Sequence, residues 1–153
     1  MDRTFFITSV TAQRRAIFRH DPTAILFLET LLHYRIETKY LLHEFVIMPD
    51  HFHAIITPSE NISLEKAVQF IKGGFSHRLH SSWPVWQAGF TNQRIHDLEE
   101  FEQYRNYIWM NPVRARLMER AEEYSHSSAG QALNLDLMPQ GLKARIICQL
   151  PRP

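Results

Sequence analysis

The stretch that most limits how this chain can fold runs from Phe45 to Thr57: Phe-Val-Ile-Met-Pro-Asp-His-Phe-His-Ala-Ile-Ile-Thr. Two apolar runs rich in β-branched and aromatic residues flank Pro49-Asp50, and that pair suits the central places of a tight turn. The spacing predicts two strands, Leu41 to Met48 and His51 to Thr57, paired as a hairpin. Side chains alternate across a strand, so His51 and His53 share one face while Phe52 and Ala54 share the other. Two imidazoles about 7 Å apart along a strand can converge on one cation through neutral ring nitrogens. The plain alternative is a polar pair at the solvated end of an amphipathic strand. His-x-His alone does not choose between them.

The remaining elements follow from local signals. Arg3 to Thr11 reads as a strand, and Gln13-Arg14-Arg15 after it as a small solvated basic loop. Asp21-Pro22 suits a helix start with aspartate as N-cap, and Ile25, Leu28, Leu32 and Ile36 give Pro22 to Thr38 an apolar stripe. A second helix starts near Ser63, with Leu64, Val68, Ile71, Phe75 and Leu79 on its buried side. Gly73-Gly74 interrupts it at a cost of about 1 kcal/mol per glycine against alanine. The pair marks either the close approach of another backbone or a break. Val85 to Ile95, which holds Trp86 and Phe90, should include a strand. Asp97 with Glu100 resembles a capping box opening a third helix, striped by Phe101, Tyr104 and Ile108, which meets Pro112.

Strand, helix, strand, strand, helix, strand and an added helix is the ferredoxin-like split βαβ order. It implies an α+β fold with an antiparallel sheet and helices packed on one face. The histidine pair then belongs on the face those helices do not fully cover, or at an edge. Residues 1–120 make the domain, and 121–153 form a C-terminal extension docked on it or on a partner subunit, with Ser125 to Gly130 as a loop. A formal net charge of +1 over 153 residues excludes a globally basic surface, so any nucleic-acid contact must be local. The lone Cys148 suits a reducing compartment, and no apolar run reaches transmembrane length. A cytoplasmic protein that does not enter the membrane is expected.

A second informative stretch is Tyr104 to Ala115, Tyr-Arg-Asn-Tyr-Ile-Trp-Met-Asn-Pro-Val-Arg-Ala. Tyr107 and Asn111, four apart, neighbour each other at the rim of the buried helix face. A tyrosine there can attack a phosphate, and an amide oxygen one turn on can complete a hard cation's shell. Packing is the plain reading of Tyr107. For Asn111 it is a helix end, since proline disfavours helical backbone in the residue before it. Tyr104, within the stripe, should pack against the sheet. Lys72, Arg78, Arg105, Arg114, Arg116 and Arg120 are ordinary solvated charges singly, and phosphate contacts as a group. Trp83, Trp86 and Trp109 are open to base stacking or core packing.

Met48-Pro49-Asp50-His51-Phe52-His53, followed by Tyr107-Ile108, Asn111-Pro112-Val113-Arg114-Ala115, resembles the single-tyrosine HUH transposases, in particular the REP-associated tyrosine transposases. Phe70-Ile71-Lys72-Gly73-Gly74, Trp86-Gln87 and Glu123-Tyr124-Ser125-His126-Ser127-Ser128 fit the same pattern, over roughly residues 1 to 130. Arg116 departs from it, standing where the family usually has glycine. The resemblance implies a ferredoxin-like enzyme that cleaves and rejoins single-stranded or hairpin DNA through a 5′-phosphotyrosine. Tyr107 would be the nucleophile, and His51, His53 and Asn111 the ligands of Mg²⁺ or Mn²⁺. Lys72, Arg78, Arg105, Arg114 and Arg116 are the expected DNA contacts, and a homodimer is an open expectation. Two other classes compete: a non-catalytic DNA-binding regulator derived from a transposase, and a zinc hydrolase using His51, His53 and His96.

Overall fold

Both apolar runs of the hairpin are buried on both faces, and the rest of the chain is arranged to cover them. The computed structural model describes residues 3–131, 133–139 and 142. Strands β1 (Phe5–Val10), β2 (Tyr40–Met48), β3 (His51–Pro58) and β4 (Thr91–Arg94) form one antiparallel sheet in the order β2-β3-β1-β4. Helices α1 (Asp21–Ile36) and α2 (Leu64–Leu79) cover one face with Phe27, Leu31, Ile71 and Phe75, against Phe45, Ile47, Phe52 and Ile56. Helix α3 (Leu98–Arg114) covers the other with Phe101 and Ile108, against Val46, Met48 and Ile55. This is the expected ferredoxin-like α+β fold with its added helix. Each large apolar side chain so buried contributes about 1.5–3 kcal/mol.

The hairpin register sets Val46 opposite His53 and Ile47 opposite Phe52, while β1 sets Thr8 opposite His53. Cross-strand partners share a face. His51 and His53 therefore point to the α3 side, and Phe52 to the α1/α2 core, where its ring meets Phe27 at 4.7 Å and Trp86 at 5.7 Å.

Two local expectations are corrected. In α1 the buried stripe is Ala24, Phe27 and Leu31, whereas Ile25 and Ile36 are exposed. The helix is apolar nearly all round, so spacing alone does not select its inner face. Asp21 is not its N-cap; His20 holds that place, and the Asp21 carboxylate accepts from His126 Nε2 at 3.1 Å. The strand expected within Val85 to Ile95 is β4; Trp86 and Phe90 lie before it, Gly89 turning the chain at φ 77° and Trp86 bridging to Thr11. Trp86 packs on the α1/α2 core.

Caps at the other helices hold. Ser63 Oγ accepts from Lys66 N–H at 3.0 Å, and an Asp97 carboxylate oxygen from Glu100 N–H at 2.8 Å. After α3 the chain returns along the outer edge of β2. Ile47 N–H donates to the His126 carbonyl at 2.8 Å, and Ser128 N–H to the Phe45 carbonyl at 2.9 Å. Asp136 accepts from Leu42 N–H at 2.9 Å and from Arg35 Nε at 2.8 Å. An edge strand that would otherwise offer unpaired backbone is thus closed. Cys148 and most of the extension from residue 140 onward lie outside the described residues.

Gly73 and Gly74 sit inside an unbroken α2. A Cβ on Gly73 would meet nothing within 4 Å, whereas one on Gly74 would collide with the Tyr34 ring of α1. The close neighbour is therefore a side chain rather than a backbone. Gly73→Ala should raise stability by about 0.5–1 kcal/mol by reducing unfolded-state freedom. Gly74→Ala should lower it by about 1 kcal/mol through overpacking. Opposite shifts of the urea midpoint check this pair; shifts in the same direction would contradict it.

Candidate active site

His51 opens β3 directly after the turn, and His53 follows two residues on, so the strand alone brings their rings to 4.8 Å between centroids. Each ring is held by its Nδ1. His51 Nδ1 lies 2.6 Å from Asp50 Oδ1 and His53 Nδ1 lies 2.6 Å from Thr8 Oγ1. A carboxylate only accepts, so His51 carries its hydrogen on Nδ1 and leaves an Nε2 lone pair. His53 Nε2 is buried with no hydrogen-bond partner. Such an orphan costs about 1–3 kcal/mol unless something occupies it. Burial first, then the neighbouring His51 and Arg114, push the His53 pKa down to about 3. The ring is thus neutral, as a metal ligand must be.

Helix α3 places Tyr107 edge-on to the His53 ring at 5.4 Å. Phe6 of β1 packs between these groups, stacked on His53 at 5.1 Å and on Tyr104 at 4.6 Å, and edge-on to Tyr107 at 5.8 Å. Tyr107 remains 43% exposed. Arg114 holds its guanidinium 4.4 Å over the Tyr107 ring and donates from Nη2 to the Tyr107 carbonyl at 2.6 Å. Asn111 is buried one turn beyond Tyr107. It does not end the helix. Its carbonyl accepts from Ala115 N–H at 3.0 Å and α3 continues to Arg114, with Pro112 accommodated in the last turn. Two imidazole nitrogens and an amide one turn from the tyrosine are donors that fit a divalent ion with positions left for phosphate.

The cluster gathers His51, His53, Tyr107 and Arg114, with Asn111 buried one turn beyond the tyrosine on α3, but not every residue of the expected set. Lys72 lies on α2, across the sheet, where its Nζ donates to the Gln87 and Gly89 carbonyls at 3.1 and 2.7 Å. Arg78 is on the same helix. Arg105 packs over Trp109 at 5.5 Å, and the Trp109 indole donates to buried Glu44 at 2.7 Å. His96 is paired with Glu100 at 3.1 Å. No three His, Cys, Asp or Glu side chains among the described residues are placed to share a metal, so the zinc set with His96 is not assembled. Thr8, Asp50 and Phe6 are the residues that sequence reasoning missed. Only Asp50, inside the motif itself, left a signal.

Arg116 ends α3 in left-handed backbone at φ 60°. Its N–H donates to the Val113 carbonyl at 3.0 Å and Leu117 N–H to the Pro112 carbonyl at 2.9 Å, the Schellman pattern that favours glycine at this place. Arg116→Gly should therefore stabilise the protein by about 1 kcal/mol. A urea midpoint that stays or falls would contradict this.

No described helix is long and apolar enough to cross a membrane. A candidate REP-associated tyrosine transposase of Haemophilus influenzae is 22% identical over 126 residues, covering 73% of this chain and 69% of that protein. A REP-associated tyrosine transposase of Escherichia coli is 23% identical over 99 residues, covering 64% of this chain but only 59% of its own length. The solved structure of a REP-associated tyrosine transposase bound to a REP hairpin has the same fold. It superposes with a TM-score of 0.72 at 18% identity, over 93% of this chain and 91% of that one. Residues 4–111, from the start of β1 through Asn111, match the IS200-like transposase family, and the chain belongs to that family.

Proposed function

We propose that this transposase cleaves and rejoins single-stranded DNA, alone or beside a hairpin, with Tyr107 as nucleophile. The observation that carries the reading is the meeting of an exposed tyrosine with a pair of histidines whose Nδ1 atoms are both tied, the buried His53 Nε2 being left without a hydrogen-bond partner. Mg²⁺ or Mn²⁺ held by His51, His53 and Asn111 would neutralise and orient the scissile phosphate. Tyr107 Oη gives up its proton and bonds to phosphorus while the bond from phosphorus to the 3′-oxygen breaks. That oxygen takes a proton and leaves as a 3′-hydroxyl. The 5′-phosphotyrosine retains the bond energy, so a second 3′-hydroxyl can reverse the step. Arg114 clamps the ring and supplies positive charge beside the developing anion. Thr8 and Asp50 keep the imidazoles in register.

Incubating the protein with a mixed pool of single-stranded oligonucleotides and Mn²⁺, then running a denaturing gel, tests this. Protein-linked DNA that disappears with EDTA is expected. Binding without any linked species would instead favour a non-catalytic DNA-binding regulator.

A further inference from the structure

The segment between β1 and α1 carries Gln13, Arg14, Arg15 and Arg19, which charge alone reads as a solvated loop. Its geometry is more specific than solvation requires. Gln13 and Arg14 both hold left-handed backbone, at φ 54° and 51°. That costs a residue with a side chain about 1–2 kcal/mol, so surrounding structure must impose it. The anchors are visible: Thr11 N–H donates to the Asp50 carbonyl at 2.9 Å, Ala12 N–H to the Val85 carbonyl at 2.9 Å, and Phe18 N–H to the Pro49 carbonyl at 3.1 Å. The segment is thus tied to the turn that precedes His51.

It also helps line a cavity of about 370 Å³ that includes Arg14, Arg19, Asp50, His51 and Leu117. Arg14 reaches Asp50 at 3.3 Å yet stays 64% exposed, and Arg19 is exposed with no acidic partner among the described residues. The single carboxylate is already shared between Arg14 and His51. Positive charge therefore prevails in a cavity that opens onto a histidine of the site. Next along the segment, the Arg15 guanidinium lies 5.2 Å over the ring of Trp83, which is 65% exposed. Guanidinium groups that can fork onto phosphate oxygens, followed by an exposed indole face, are what a single strand needs beside a cleavage site.

We propose that the β1–α1 segment forms a flanking-nucleotide subsite. Arg14 and Arg19 hold a phosphate adjoining the scissile one, and Trp83 stacks a base of the same strand. The inference rests on the proposed strand-transfer reading for its ligand.

Binding of a labelled mixed-sequence single-stranded oligonucleotide, measured across a range of salt, tests it. Each phosphate contact on a single strand contributes about 0.7 to the slope of log affinity against log salt. Arg19→Ala should flatten the slope by about 0.7, and Arg14→Ala with Arg19→Ala by about 1.4. Trp83→Ala should weaken binding about tenfold with little change of slope. Arg19→Ala is the safer single variant, because Arg14 also supports Asp50. Unchanged slopes together with an unchanged Trp83→Ala affinity would overturn the subsite, as would an equal slope loss on blunt duplex. Denaturing gels of the same mixtures report the strand-transfer reading separately. Adducts with unchanged slopes and an unchanged Trp83→Ala affinity overturn the subsite alone; flattened slopes without any adduct support the subsite and overturn the strand-transfer reading.

Discussion

A Tyr107→Phe protein should form no covalent DNA adduct, a loss of at least about a thousandfold, while folding and binding single strands much as the wild type does. Only a hydroxyl is removed. The phenyl ring keeps its edge contacts with His53 at 5.4 Å and Phe6 at 5.8 Å, and the Arg114 guanidinium 4.4 Å over its face. Because Tyr107 is well exposed, losing the hydroxyl leaves no buried hole. Tyr104, one turn earlier, is the internal control. Its ring lies flat on Phe6 at 4.6 Å within the apolar cluster beneath α3, so Tyr104→Phe should retain the adduct. Peptide mapping of trapped complexes separates the two: DNA on Tyr104, or an adduct that persists in Tyr107→Phe, would sink the assignment.

What could be read from the sequence follows how local each cause is. The β2–β3 hairpin is legible because its signals, apolar strands and a Pro-Asp turn, lie within one stretch. The inner face of α1 is not, because a helix apolar all round leaves the choice to its neighbours: Phe27 turns inward to meet Phe18, Phe52, Phe75 and Trp86. The exact span of the short β4 is not legible, for the opposite reason. Its residues Thr91 to Arg94 are exposed and polar, and only pairing with β1 makes them a strand.

The site divides the same way. His51 and His53 are legible from a period of two, and Tyr107 with Asn111 from a spacing of four. Thr8 is 45 positions from His53, and only the β1–β3 register brings them together. Lys72 shows the converse. Helical spacing joined it to Arg78, but spacing cannot say which face of the sheet the helix will cover, and α2 packs opposite the histidines. The departure at Arg116 is legible and explained: the position takes left-handed backbone, so glycine is the easier residue there.

Replacing either histidine should reduce Mn²⁺-dependent cleavage by at least about a hundredfold, and EDTA should mimic both changes, but the two variants should differ in stability. His51 side-chain exposure is 20%, and among the described residues its side chain bonds to Asp50, so His51→Ala should cost no more than about 1 kcal/mol. His53 is only 5% exposed, stacked on Phe6 and bonded to Thr8, so His53→Ala should cost about 2–4 kcal/mol. Acid separates them further. With metal chelated, the unfolded chain takes up a proton at this ring near pH 6.5, whereas the folded protein resists until about 3. Between those values the unfolded state binds more protons. This residue's effect on stability is therefore flat above about 6.5 and turns unfavourable as pH falls toward 3. A His53→Gln protein cannot titrate here, and between pH 7 and 4.5 it should lose about 2–3 kcal/mol less than the wild type in urea titrations. Other acid-sensitive groups, Asp50 and His43 among them, cancel in the difference. Equal acid losses in both proteins would mean that His53 is not held neutral in the fold, and would remove the argument that its Nε2 lone pair stands ready for an ion.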